Sequence, residues 1–369
     1  MTSGLPRFRV KLWAVDSAAG RGRGALKAII EDAKDIGGSA YANTGGEFFM
    51  TLPYTHPYID EIDPLLTHYE VSRFSGSAYV PIFAGLLDGV EISRDEAVVF
   101  GRDYLSLLET TISASNTSYT NTLIGTIISD QVTAARAEAN SRVNFITVGT
   151  IEATTTTATM LTSYEPRLHF IAGAADILMA DRSVRSIIAV EPRSSGTPAF
   201  TFYENKGSNK TDVRLEYGGN VTDFLKVGPY ANFRTRIQAI GQKREGATIL
   251  FSTQTYASET IRGWIAESAV FLDVVDQAAL DNKTKRLARR LGNILNDSLM
   301  LRLGPNALAP WDGYDIGDSV SVRVVRNPRD AIAGWEGVDG IFTIWGLEWV
   351  GTTTGNEELF LDLRKQETA

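Results

Sequence analysis

Three histidines are the residues best suited to act as a general base or a metal ligand: His56, His68 and His169. Asp60 and Glu61 follow the first of them closely. A zinc site needs several such groups on one face, and the sequence has no HxH, HExxH or His-x-x-Glu spacing. Imidazole titrates near neutral pH, so each histidine could act as a base on its own, but none belongs to a recognisable motif. We predict structural or surface roles for all three.

Two pairs of carboxylates could supply the acid and the base of a glycosidase: Asp60 with Asp63, and Asp312 with Asp315. A chain with 44 acidic residues offers many such pairs, so their spacing has little specificity. Asp318 extends the second pair, but this segment has acids at positions 1, 4 and 7. A calcium loop has them at positions 1, 3 and 5, so no calcium site is predicted.

Glycine-rich and nucleophile motifs are also weak. Residues 20–24 read Gly-Arg-Gly-Arg-Gly but lack the terminal Lys-Ser/Thr of a phosphate-binding loop, and neither a dinucleotide fingerprint nor a Gly-x-Ser-x-Gly elbow occurs. The chain has no cysteine, which excludes a disulfide framework, a cysteine zinc site, an iron–sulfur cluster and a cysteine nucleophile. We expect no catalytic, cofactor-binding or metal-binding residue, no cofactor and no enzymatic activity.

Basic and aromatic residues leave two further possibilities. A basic run flanks the apolar stripe of a predicted helix, where a solvated or interface face is the better interpretation than a nucleic-acid site: Lys283, Lys285, Arg286, Arg289 and Arg290. Six tryptophans could form sugar-binding platforms: Trp13, Trp264, Trp311, Trp335, Trp345 and Trp349. The last two alternate in a predicted strand, which favours core packing or a subunit contact.

The overall composition is that of a globular protein with an acidic surface. Hydrophobic residues make up 43% and charged residues 22%, so the chain can bury a sizeable core. The net charge of −8 disfavours a protein that binds DNA through its phosphates. It suits a conduit through which DNA slides, and simple solubility explains it equally well. We expect no secretory signal and no transmembrane helix.

The elements that position these residues are mostly strands. A period-two strand at 8–14 is followed by a loop at 20–24, and 26–36 fits a helix or a strand. Residues 69–100 read as a meander of short strands, with a hairpin turn at Asp88-Gly89, closed by a short helix after Gly101. A meander that curls round and is closed by a helix predicts a small barrel.

The middle and the end of the chain add helices and a second set of strands. We predict a polar linker at 113–120, helices at 123–135 and 168–179, an exposed Thr-rich loop at 150–163, and strands between 186 and 240. The strongest helical pattern spans 277–300, and strands return at 314–325 and 341–363. The fold class predicted is β-rich α+β, with two small barrels and mixed α/β inserts.

Two segments of the sequence resemble the baseplate hub, or minor tail, proteins of long-tailed bacteriophages. The first comprises Glu47–Pro53, Tyr79–Leu87 and Val98–Leu108, with a Gly-Arg-Asp-Tyr turn that leads into a short helix. The second begins with Tyr-Asp-Ile-Gly-Asp at 314–318 and continues with strands at 342–350 and 358–363. The resemblance covers roughly 45–110 and 275–365, and elsewhere only the order of elements agrees.

This resemblance implies a homotrimeric hub at the virion tail tip, assembled in the host cytoplasm. Its domains would be 1–112, a first barrel-like tube domain; 113–210, a helical or mixed insert; 211–275, a β-rich peripheral segment; and 276–369, a helix with the second tube domain. Three chains would form a ring that continues the sixfold tail tube, with a channel for DNA. The implied partners are a distal tail protein, the tape-measure protein and tip or fibre proteins.

Two other functions remain open from the residues alone. One is a tail-associated hydrolase of cell wall or polysaccharide that uses an acid pair, and the other is a receptor-binding module that uses exposed aromatic side chains. Some members of the resembled family carry a lytic C-terminal extension. Because the sequence ends at Ala369, directly after the last predicted sheet, we do not expect that activity.

Overall fold

The computed structural model describes most of the chain. The described residues are 7–17, 21–113, 116–138, 141–162, 164–178, 185–191, 197–227, 236–241, 249–255, 266–271, 277–292, 298–324, 337–352 and 357–365. Strands dominate them, and the β-rich α+β class predicted from the sequence is confirmed. No described helix is long and apolar enough to cross a membrane.

Seven strands come from the first part of the chain. They are β1 (Phe8–Asp16), β2 (Gly22–Ile30), β3 (Asp35–Tyr41), β4 (Thr44–Pro53), β5 (Thr67–Phe74), β6 (Tyr79–Ile92) and β7 (Glu96–Asp103). The 3₁₀ helices Ile59–Glu61 and Leu105–Glu109 accompany them. Apolar side chains alternate along β1, where Phe8, Val10 and Leu12 are buried, so the strand buries one face as its period of two predicts.

The middle of the chain forms a mixed unit of helices and short strands. Its elements are β8 (Ser118–Leu123), α1 (Ile124–Ala137), β9 (Thr147–Ile151), β10 (Thr157–Leu161), α2 (Arg167–Leu178), β11 (Ile187–Glu191) and β12 (Ala199–Tyr203). A buried chain of hydrogen bonds joins the two helices: Arg167 donates to Gln131 at 2.7 Å, and Gln131 donates to the Tyr119 hydroxyl at 2.8 Å. The apolar core of this unit is a second cluster beside that of the large sheet, and it includes Ala84 and Leu86 of β6 and the 3₁₀ helix Leu105–Glu109.

The last part of the chain returns to strands. Its elements are β13 (Asn209–Glu216), β14 (Val221–Val227), β15 (Arg236–Gly241), β16 (Phe251–Thr255), β17 (Ala266–Phe271), α3 (Gln277–Gly292), β18 (Ser298–Leu303), β19 (Ser319–Val324), β20 (Val338–Gly351) and β21 (Glu357–Lys365). β15, β16 and β17 form a small sheet, against which α3 packs through Leu280 and Ala239.

The large sheet joins the two ends of the chain. Its strand order is β14-β18-β21-β20-β3-β4-β7-β6-β5-β1-β2, and β19 and β13 branch from β20. β20 is long enough to pair with β19 through its first half and with β3 through its second half. Strands from the predicted peripheral segment 211–275 also take part, because β14 pairs with β18. The N-terminal and C-terminal strands therefore share one sheet.

A single core lies beneath this sheet and is built from both ends of the chain. The Phe8 ring stacks on the Trp349 ring with centroids 5.2 Å apart, and Phe48 stacks on Tyr69 at 4.2 Å. Trp349 is fully buried, which corresponds to core packing, one of the two roles predicted for it. Burial of several large aromatic side chains stabilises the fold by about 2 kcal/mol each.

Local structure differs from the sequence prediction in several places. The ambiguous segment 26–36 forms the end of β2 and the start of β3. β8 begins within the predicted linker 113–120, and β10 lies within the Thr-rich run predicted as an exposed loop. Thr162 at the end of that run is fully buried and accepts a hydrogen bond from the backbone of Thr117. Threonine is favoured in half-buried strands as well as in loops, so the Thr-rich composition led to a wrong prediction of a loop.

The predicted turn at Asp88-Gly89 is wrong, because β6 continues through it as a bulge. A Cβ on Gly89 would lie 2.6 Å from the Phe100 ring, so this glycine permits a close approach of two strands. The predicted helix 277–300 is also too long. It ends at Gly292, and Leu299, Leu301 and Leu303 are buried at alternate positions of β18.

Candidate functional site: an acidic sheet face and the turns that hold it

Eight strands of the large sheet share a face that points away from the core, and the middle unit covers part of it at Leu86 of β6. In the run β14-β18-β21-β20-β3-β4-β7-β6 the apolar residues at alternate positions enter the core, as Leu361, Trp349 and Val99 do. Their neighbours point to the opposite side, and in β3, β4, β7, β20 and β21 most of these are half-buried or exposed. This opposite side is called the outer face below.

The outer face is strongly acidic. Its nine acidic residues are Asp35, Glu47, Asp88, Glu91, Glu96, Asp223, Glu348, Glu358 and Asp362. Its basic residues are Arg102, Arg302 and Arg364, and Lys34 reaches it to pair with Glu96. The whole chain has 44 acidic against 36 basic residues, so acidic groups are concentrated here. Like charges on one surface sum to a negative potential that repels polyanions.

Each of the three arginines on the outer face is engaged by a neighbour. Arg102 donates two hydrogen bonds to Asp88, at 2.7 and 3.1 Å, and Arg302 pairs with Glu358. Arg364 lies 4.0 Å from the centroid of the Trp345 ring, and burial lowers the pKa of this guanidinium. Ion pairs therefore neutralise Arg102 and Arg302, while Glu47 and Glu91 are exposed on the same face.

Buried ion pairs beneath the sheet hold its two ends together. Arg73 donates to both carboxylate oxygens of Glu357, at 2.7 and 3.1 Å, and to Asp312 at 2.8 Å. Arg7 donates to the same Glu357 at 2.7 Å. Bidentate pairs of this kind fix geometry as well as charge. Asp312, a candidate for glycosidase chemistry, is thus committed to a structural contact.

The Tyr-Asp-Ile-Gly-Asp turn is held by its last aspartate. Asp318 accepts hydrogen bonds from the backbone N–H of Asp315 at 3.0 Å and of Ser208 at 2.7 Å. Gly317 has φ +96°, a left-handed conformation that favours glycine, and its carbonyl accepts a hydrogen bond from Arg185. The turn therefore joins the start of β19 to the segment before β13. Asp315 and Asp318 have structural partners here and form no metal site with Asp312 in the described residues.

The Gly-Arg-Asp-Tyr turn has an equally clear structural role. A Cβ on Gly85 would lie 1.8 Å from the Arg102 carbonyl oxygen, so β6 approaches β7 too closely for any side chain there. Asp103 accepts a hydrogen bond from the backbone N–H of Ser106 at 2.9 Å and starts the short helix. Burial is the main cause that raises the pKa of Asp103 to about 7.

His68 belongs to a buried polar network. Its Nε2 lies 2.9 Å from the Arg21 carbonyl oxygen, which can only accept, so Nε2 carries the proton and Nδ1 accepts from the Tyr104 hydroxyl at 3.0 Å. Arg23 donates to the same hydroxyl at 3.2 Å and to Glu70 at 2.7 Å. Burial is the largest cause that lowers the pKa of His68 to about 4, and Arg23 adds to it. The structural role predicted for this histidine agrees with these contacts.

The remaining candidates lie apart from one another. His56 approaches Asp32 with 3.2 Å between Nε2 and Oδ1, and His169 is exposed on α2. Asp63 pairs with Lys27 at 3.1 Å. Lys283 lies on α3 near the Phe271 ring, while the side chains of Arg286, Arg289 and Arg290 lie outside the described residues. So do Gly20, Trp264 and Trp335.

Sequence reasoning missed the outer face as a unit. The available signal was the acidic residues at alternate positions of single strands, as in β21, where Glu358 and Asp362 flank Phe360. That signal becomes a surface only when the order of the strands is known. No group of three or more histidine or acidic residues suited to a metal occurs among the described residues.

The fold is similar to those of tail proteins of known structure. A tail protein from Neisseria meningitidis superposes with a TM-score of 0.60 at 11% identity, over 97% of this chain and 96% of that one. A 43 kDa prophage tail protein from Shewanella oneidensis gives 0.60 at 14% identity, over 97% and 98%. A prophage tail protein from Listeria monocytogenes gives 0.50 at 12% identity, over 97% and 95%.

The similarity in fold confirms the resemblance predicted from the two turns. It extends over nearly the full length of both chains in each comparison, including the middle third, where the sequence offered only the order of elements. The sequence itself matches no protein-family model and has no significant match among curated proteins. The likeness is therefore one of fold at low sequence identity.

Proposed function

We propose that this protein is a structural hub of a phage tail tip. Three copies form a ring that continues the sixfold tail tube, and the outer face lines a central channel through which DNA leaves the virion. The observation that carries the proposal is the acidic outer face on a chain with the fold of phage tail proteins. A channel for DNA must not bind its cargo, and a negative wall keeps a polyanion mobile.

Each copy supplies two barrel-like tube domains, 1–112 and 276–369, so three copies give the six units that match a sixfold tube. The insert 113–210 lies at the periphery, and so does the small sheet of β15, β16 and β17, while β13 and β14 of the segment 211–275 belong to the large sheet. The pairing of β3 with β20 and the Phe8–Trp349 stack support this arrangement, because they make the two ends of the chain one continuous wall.

The partners follow from the same position in the virion tail, with assembly in the host cytoplasm. A distal tail protein contacts the ring on one side, tip or fibre proteins contact it on the other, and the tape-measure protein lies within. The role is structural and involves no catalysis and no cofactor. In support, Asp312 is engaged by Arg73, and Asp318 accepts two backbone hydrogen bonds.

Native mass measurement of the purified protein tests this function. We expect a particle of three times 40.3 kDa that leaves purified host cell wall intact. A stable monomer that cleaves cell wall would overturn the proposal. In that case Asp312→Ala with Asp315→Ala identifies the hydrolase pair if cleavage is lost. A monomer that binds host glycan without cleaving it would instead identify a receptor-binding module.

A further inference from the structure

We propose that the small sheet of β15, β16 and β17 is a docking site for an amphipathic helix of a neighbouring tail protein. The helix lies on the face of the sheet opposite α3, called the open face below, with apolar side chains on the sheet and acidic side chains at its margins. This inference rests on the proposed function, because it takes the chain to be part of an assembled tail. It gives a role to a unit that the channel does not use.

An apolar row crosses the open face. Ile240 of the central strand β15 is directly opposite both Phe251 of β16 and Val270 of β17, so the three side chains point to the same side. Phe251 and Val270 expose 63% and 62% of their surface, and Ile240 exposes 36%. Single exposed apolar residues are common on proteins, but a contiguous exposed row is typical of a binding surface.

Helix α3 covers the other face of the same sheet. Leu280 of α3 packs against Ala239, the neighbour of Ile240 in β15, and both are fully buried. β15 and β17 run parallel to each other. Parallel strands are ordinarily covered by helices on both faces, because their crossover connections pass there. A second helix on the open face therefore completes the layered arrangement that such a sheet favours.

The size of the row fits one helix. Neighbouring strands lie about 4.8 Å apart, so the row is roughly 10 Å wide, which is the diameter of a helix with its side chains. The three residues expose on the order of 300 Å², whereas a stable contact between two copies needs roughly 800 Å² from each. The row is therefore too small to hold a second copy by itself. It is large enough for one segment of a partner that other contacts anchor in the tail.

Charge indicates acidic residues on the partner. The three strands place no acidic residue on the open face, because Glu267, which is their only one, alternates with Val270 and lies on the α3 side. α3 has five basic residues and one acidic residue, Asp281, in a chain with a net charge of −8. Opposite potentials steer two proteins together. This unit therefore attracts acidic segments that the rest of the chain repels.

Photocrosslinking in assembled tails tests the site. Benzoylphenylalanine is placed at Val270, tails are purified from the phage that encodes the chain and irradiated, and crosslinked peptides are identified by mass spectrometry. We expect one tail protein other than this chain, attached at a helix whose apolar residues recur every three or four positions between acidic ones. The same photoreactive residue at Leu26, which exposes 50% of its surface on β2, should not attach to that helix. A crosslink from Val270 to a second copy, or no crosslink, overturns the proposal.

Matched variants test whether the row holds the helix. The probe is a fluorescent synthetic peptide with the sequence of the crosslinked helix, and anisotropy measures its binding to the purified protein. Phe251→Thr with Val270→Thr removes the apolar surface but keeps residues that favour strands, and we expect at least tenfold weaker binding. Leu26→Thr with Ile29→Thr removes two apolar residues of 50% and 42% exposure from β2 and should bind like the parent. Equal binding by the two variants would overturn the site.

Native mass separates failure of this inference from failure of the proposed function. A trimeric parent protein that gives no crosslink from Val270 overturns the docking site and leaves the ring standing. A monomeric parent protein overturns the ring, and the docking site then stands or falls with the crosslink and the peptide alone. A trimeric mass of the Phe251 and Val270 variant, together with its loss of peptide binding, supports the site, because the fold and the ring are then intact.

Discussion

Arg73 and Glu357 form a bidentate ion pair, with distances of 2.7 and 3.1 Å, although 284 residues separate them in the sequence. The pair lies beside the core where β5 and β21 come close, and Arg7 and Asp312 complete it. It connects the first strands of the chain to the last, as the β3–β20 pairing does within the sheet. The continuity of the proposed channel wall depends on such connections.

Arg73→Met is expected to lower the free energy of unfolding by about 2–3 kcal/mol, because the largely buried Glu357 carboxylate loses two charge-assisted hydrogen bonds and keeps those from Arg7. Urea unfolding followed by circular dichroism measures this loss. Lys34→Met is the matched control, since its pair with Glu96 is exposed on both sides and its loss should barely change stability. Equal losses in the two variants would show that the network does not hold the ends together.

Gly85→Ala is expected to destabilise the protein by about 3 kcal/mol or more, because the new methyl group meets the Arg102 carbonyl of the adjacent backbone. Gly219→Ala is the control, since a Cβ there makes only ordinary contacts. Thermal unfolding of both variants measures the difference. If Gly85→Ala melts with the parent protein, β6 and β7 are not in this close contact.

His68→Gln is expected to reduce the loss of folding stability that the protein shows as the pH falls below 6.5. The pKa of His68 is about 4 in the folded protein, below the ordinary 6.5, so the neutral form is the one that folds. Its contribution is full above pH 6.5 and is lost as the pH falls toward 4. Free energies of unfolding at pH 7.5, 5.5 and 4.5 should therefore fall less steeply in the variant. Parallel curves would contradict the buried neutral state.

Asp103→Asn is expected to reduce a loss of folding stability that occurs as the pH rises. Burial raises the pKa of Asp103 to about 7, above the ordinary 3.8, so its contribution is full below pH 3.8 and is lost as the pH rises through 7. The amide keeps an oxygen for the Ser106 N–H and cannot ionise. The variant should gain stability relative to the parent between pH 5 and 8. If the difference in unfolding free energy between variant and parent stays constant over that range, the pKa of Asp103 is not raised.

Charge reversal on the outer face is expected to create DNA binding. Glu47→Lys with Glu91→Lys should retain duplex DNA at low salt and release it as salt rises, because lysines on the outer face displace the counterions of the DNA phosphates. Asp60→Lys with Glu61→Lys makes the same change in net charge on the exposed 3₁₀ helix away from the face. Fluorescence anisotropy compares the two. Equal DNA binding by both variants would mean that net charge, and not the face, controls it.

Much of the local structure could be predicted from the sequence. The period-two pattern of β1, the helices α1 and α2, and the short helix after the Gly-Arg-Asp-Tyr turn all lie close to their predicted positions. The prediction was wrong where a residue type occurs in two kinds of structure. Gly89 resembled a turn residue but permits a close approach to Phe100, and the Thr-rich run resembled a loop but contains β10. Single-residue preferences cannot distinguish these cases, because tertiary contacts decide between them.

The sequence by itself determined the β-rich class, the absence of cysteine chemistry, the net acidity and the two turns that point to a tail-protein fold. Only the tertiary structure decided where that acidity lies. Alternation along a strand assigns each residue to one of two faces, but a surface forms from strands that are far apart in the chain, such as β3 and β20. Pairing over such distances depends on packing in the shared core, from Phe8 to Trp349, which no local pattern encodes.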